Sequence, residues 1–65
     1  MLRKYLVSWP SKDIEVTLVS RNRSDLDNQM LFLMSTELKV SIRHYELLKY
    51  MSFHDIDVFD LGFVV

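Results

Sequence analysis

Two runs of alternating apolar and polar residues, 4–9 and 14–21, flank the connection Pro10-Ser11-Lys12-Asp13. Successive side chains of a strand point to opposite faces, so such alternation marks a strand with one dry and one wet side. The runs are rich in Tyr, Val, Trp, Ile and Thr, which suit a pleated surface, and a proline early in a four-residue connection suits a turn. The pattern predicts a hairpin. With Trp9 opposite Ile14, Val7 meets Val16 and Tyr5 meets Leu18 on a wholly apolar face. Lys4 with Val19, Leu6 with Thr17 and Ser8 with Glu15 share the other, mostly polar face. A slip of one residue would mix the two faces, so the register is specified. Trp9, Val7, Val16 and Leu18 are the expected core of the hairpin.

An isolated ribbon is not stable in water, and its dry face must be covered. The next segment offers a helix from about Asp25 to Ser35. Ser24 stands three residues before Asp27, which resembles a capping box, and acids suit a helix N-terminus. Leu26, Met30, Leu33 and Met34 fall on one stripe at helical spacing. Phe32 points the opposite way, among Asn28 and Ser35. The short run Met30–Met34 also fits a strand, because period alone does not separate the two. Residues 36–41 alternate and read as a short strand or a linker. Ser41 is placed to cap a second helix from about Ile42 to Met51, with Tyr45, Leu47, Leu48 and Met51 as its apolar arc and His44 inside it. Tyr50 projects from its polar face. The tail from Asp55 reads as a strand whose phase changes: Ile56 and Val58 share one face, and Phe59, Leu61, Phe63 and Val65 the other. That change predicts a bulge near Val58-Phe59. The expected fold is a single α+β domain over residues 1–65. A small antiparallel sheet, hairpin plus C-terminal strand, is covered on one face by two helices.

With 65 residues and no cysteine, disulfides cannot staple this domain. A domain of this size buries only about 60% of the surface its unfolded chain exposes. Small scaffolds therefore lean on a dense core or on a second copy. The hydrophobic content of 49% supplies the core. The apolar ending Phe63-Val64-Val65 suggests a homodimer formed by edge pairing of the final strand.

Composition excludes several classes. No stretch approaches the ~20 apolar residues of a membrane span. The N-terminal apolar run is too short for a secretion signal, which makes the sequon Asn22-Arg23-Ser24 a chance match and the cytoplasm the expected location. The scarcity of alanine, glycine and proline, all with GC-rich codons, fits an AT-rich genome of the phage kind. The chain is also a dipole. Residues 1–23 hold five basic residues against two acidic, a balance of +3, and residues 24–65 hold three against seven, a balance of −4.

Groups that could carry chemistry are sparse. His54, Asp55, Asp57 and Asp60 are the nearest approach to a metal cluster, but the Asp-x-Asp run lacks the glycine and closing glutamate of a calcium loop. These acids read instead as the solvent side of an edge strand. His44 has no nucleophile or acid assigned to it and reads as a partly buried histidine. A chain so short leaves little room for a pocket of ~300 Å³. No cofactor or metal is expected, and no enzyme activity. Arg3, Lys4, Arg21 and Arg23 gather at the open end of the hairpin, a patch able to contact phosphates. Phe32 and Tyr50 are the expected exposed aromatic anchors of an interface. The expected function is a small non-enzymatic regulator or inhibitor that binds a protein target. Nucleic-acid binding through the basic edge is the alternative.

Overall fold

The computed structural model describes residues 1–64. Its elements are β1 (Arg3–Trp9), β2 (Ile14–Ser20), α1 (Arg23–Leu38), α2 (Leu47–Phe53) and β3 (Asp57–Phe63), with 3-10 turns at Pro10–Lys12 and His44–Glu46. The strands form an antiparallel sheet in the order β2-β1-β3. The helices cover one face, so the small α+β architecture is as expected.

The hairpin has the register its alternation dictates, from Arg3 opposite Ser20 to Trp9 opposite Ile14. Pro10 opens the 3-10 turn, and Asp13 closes it in the left-handed conformation (φ 55°), its N–H donating to the Pro10 carbonyl. Asp tolerates this region better than most residues. Val7 and Trp9, on the central strand, are fully buried. Ile14, Val16 and Leu18 lie on the edge and are only partly covered.

Helix α1 begins earlier and ends later than its apolar stripe implies. Asn22, not Ser24, caps it: its Oδ1 accepts from the Asp25 N–H at 2.9 Å. Nothing in Thr36–Leu38 breaks the helix, so no strand forms there. Lys39 turns left-handed (φ 56°), and its N–H donates to the Ser35 carbonyl. Leu26, Met30 and Met34, four residues apart, are the buried ridge.

The second helix departs from expectation in both start and phase. Ser41 lacks a glutamate or glutamine three residues on. Arg43 has Glu46 there, and the Arg43 N–H donates to Glu46 Oε1 at 3.1 Å. The chain therefore starts a tight 3-10 turn at His44 before α2 begins. That turn rotates the helix so that Ile42 and Leu47 enter the core while Tyr45, Leu48 and His44 face water. The exposed His44 holds Asn28 Oδ1 through Nε2 at 2.8 Å.

The phase change in β3 is real but lies further along. The pairing with β1 shifts between Lys4 and Tyr5, where Gly62 and Asp60 are the partners and Leu61 is the extra residue. Gly62 has φ 93°, a region that glycine enters without strain. The bulge sits here, rather than at Val58-Phe59, because glycine is here. It places Phe59, opposite Leu6, on the open face, and Phe63, opposite Arg3, on the helix side. Phe59 and Phe63 therefore do not share a face, and Val65 lies outside the described residues.

Candidate functional site

Three strands are wider than one long helix and one two-turn helix can cover. Helix α1 runs over the sheet and leaves a groove on each flank. One, of about 390 Å³, lies between α1, α2 and β3. The other, of about 440 Å³, lies between α1 and β2. Room for concave sites thus exists even in so short a chain, because the cover is incomplete. Both grooves are open to solvent.

The β3-side cleft has an apolar floor of Leu26, Met30, Met51, Ile56 and Val58. Its rim is polar: Tyr5, Arg23, Asp27, Asp57 and Asp60. Arg23 and Asp27 pair along α1 at 3.4 Å. Asp60 is held by Arg3, with Arg3 Nη2 at 3.0 Å and Nε at 3.1 Å from Oδ2. The Gly62 N–H donates to Asp60 Oδ1 at 2.8 Å. That backbone bond, followed by the Arg3 hydrogen bond, holds the Asp60 carboxyl below its ordinary pKa. The Arg3 guanidinium also stacks 4.3 Å from the centre of the Phe63 ring. Asp57, opposite Ser8, stands at the end of the cleft on the open-face side of the sheet, as Phe59 does. At the lip stands Leu48, 68% exposed, with Tyr45, 80% exposed, on the preceding turn.

The β2-side groove is lined by Val16, Leu18, Phe32, Leu33 and the polar Asn28, Gln29 and Thr36. Phe32 is 75% exposed at its margin, so it is the free aromatic that its position opposite the stripe suggested. Tyr50 is not. It is half-buried against the core and stacks on His54, with ring centres 6.2 Å apart. His54 also meets the edges of Trp9 and Phe53 at 5.7 and 5.1 Å. The buried Trp9 Nε1–H has no acceptor among the described residues. Phe53, three residues after Tyr50, is the exposed aromatic of this corner.

The four cations of the hairpin end are not brought to one face. Arg3 points to the helix side and is paired with Asp60; Arg23 belongs to α1 and is paired with Asp27. Lys4 remains on the open-face side of the ribbon and Arg21 just past the end of β2, both without an ion pair among the described residues. Among the described residues, no group of three or more His, Asp or Glu is placed to hold a metal, and no helix is long and apolar enough to cross a membrane.

Sequence reasoning missed Leu48, Tyr45 and the cleft itself. The signal was present in part: Glu46 three residues after Arg43 marks the later helix start, which turns Tyr45 and Leu48 outward. No known family model, curated protein or solved structure matches this chain.

Proposed function

We propose that this chain is a non-enzymatic interaction protein, a regulator or inhibitor that binds a protein target through the β3-side cleft. The observation that carries this reading is the cleft's anatomy. An apolar floor inside a polar rim is how interfaces seat an anchoring side chain and exclude water from it. Leu48 and Tyr45 extend the apolar surface outward, and no intramolecular packing explains their exposure. The cleft would take an aliphatic or aromatic side chain of the target.

The competing proposal is nucleic-acid binding through Lys4 and Arg21. It is weakened by the ion pairs that occupy Arg3 and Arg23 and by a net charge of −1.

Affinity capture from lysate with wild type and variants tests the reading. Leu48→Asp and Tyr45→Asp should each weaken capture of the target about tenfold or more, the scale of an interface hot spot. Phe53→Ser, on the opposite flank of α2, should leave capture unchanged. Retention of the same target by both cleft variants would defeat the proposal. Recovery of nucleic acid alone, lost at high salt, would install the competing one.

A further inference from the structure

We propose that the β2-side groove is filled by a second copy of this chain, through antiparallel two-fold pairing of β2 with β2. This surface is separate from the β3-side cleft, so either proposal can fail alone.

The first support is backbone geometry. Strand β2 pairs with β1 on one side only. Gln29 Nε2 donates to the Val19 carbonyl at 2.9 Å. A carbonyl reached from outside the sheet points away from β1. Outward groups recur every second residue along an antiparallel strand, so Glu15 and Thr17 also direct their N–H and C=O outward. Gln29 occupies one end of this edge. The rest is an unprotected template for another strand.

The second support is charge. Antiparallel self-pairing sets the beginning of a strand against its end. Strand β2 carries Glu15 near its beginning, with Asp13 in the turn just before it and Arg21 just past its end. A two-fold axis at Thr17, the midpoint of Ile14–Ser20, sets Glu15 against Val19 of the copy, whose carbonyl has a second lone pair for the Glu15 N–H beside the bond from Gln29. It brings the turn residue Asp13 near the partner's Arg21 and puts Glu15 within diagonal reach of it, twice over. No like charges stand opposite one another in this register. On the helix side Val16 meets the partner's Leu18, and the exposed Phe32 of each copy flanks the new seam. The result is one six-stranded sheet, closed by symmetry.

The opposite edge lacks this complementarity. Residues 50–65 contain three aspartates and no lysine or arginine. Self-pairing of β3 would set acid near acid, across a bulge at Leu61 that bends the edge. The copy expected from the apolar tail is therefore assigned to β2 rather than β3.

Light scattering and sedimentation from low to high micromolar concentration test this. The expected mass rises from 7.8 kDa to twice that value and no further. Amide exchange at Glu15 and Thr17 should slow as the dimer forms. Arg21→Glu, whose side chain has no ion pair here, should raise the dissociation constant about tenfold or more. The combined Asp13→Lys, Glu15→Lys, Arg21→Glu variant should restore dimerisation; Lys39 shows that lysine enters the backbone conformation of Asp13 in this chain. A mass of 7.8 kDa throughout overturns the proposal. So does a dimer indifferent to Arg21→Glu, or growth beyond two copies, which would mark β2 pairing with β3 instead.

Discussion

Strands β2 and β3 are both seven residues long, and among the described residues each pairs with β1 alone. Their free edges are nonetheless different surfaces. β2 is regular, carries acid at one end and base just beyond the other, and borders a groove that is apolar but for Asn28, Gln29 and Thr36. β3 is acidic, bulged at Leu61, and latched by Arg3 to Asp60 beside a polar-rimmed cleft. Natural sheets blunt an edge by bulge and charge. Here one edge is blunted and the other left receptive. The two flanks accordingly have different proposed occupants: a copy of the chain beside β2, and a target's side chain beside β3.

The largest effect that sharpens this comparison is on side-chain removal. Val16 packs against the core from β2, whereas Phe59 of β3 lies on the open face and is half exposed. Val16→Ala should cost about 1–3 kcal/mol of unfolding free energy. Phe59→Ala removes far more atoms but only cross-strand contacts, and should cost about 0.2–1 kcal/mol. Denaturant unfolding measures both. If Phe59 proves the more costly, the open face is covered and the account of β3 fails.

Next in size is the bulge. Gly62→Ala puts a Cβ into open space, with no neighbouring atom within 4 Å. Any cost is therefore backbone strain at φ 93°, about 1–2 kcal/mol. Thermal unfolding that shows no loss would mean the bulge relaxes freely and does not blunt the edge.

The hairpin was legible because two constraints agreed. Alternation on both strands and a four-residue turn admit only one register, and every pair from Lys4–Val19 to Trp9–Ile14 follows. The ridge Leu26-Met30-Met34 was legible for a similar reason, as one period sustained over two turns. Helix α2 was not. It spans only seven residues, and the preceding 3-10 turn advances the chain at a different angle per residue. A helical wheel drawn from Ser41 therefore buries Tyr45 and Leu48, which the structure exposes. The cleft depends on that same rotation, so it could not be read from the sequence. The basic patch failed for another reason. Neighbours in sequence on a strand point to opposite faces, and the partners of Arg3 and Arg23 are set by tertiary packing and helix spacing. Phe32 is exposed because it lies opposite a strong stripe.

The smallest effect concerns the latch on β3. Asp60 has its pKa lowered by the Gly62 N–H and then by Arg3. A carboxylate with a depressed folded pKa contributes stability that is present in full above its unfolded pKa of ~3.9 and is lost as pH falls through the folded value. Asp60→Asn keeps the shape and removes the charge. The melting temperature of wild type should therefore exceed that of the variant near neutral pH, and the gap should close as pH falls below the ordinary carboxylate range. Because the pair is exposed, added salt should narrow the gap at neutral pH as well. A gap that persists unchanged at low pH would show that the amide is a poor fit at this position, whatever its charge. The blunting of this edge would then rest on the Leu61 bulge alone.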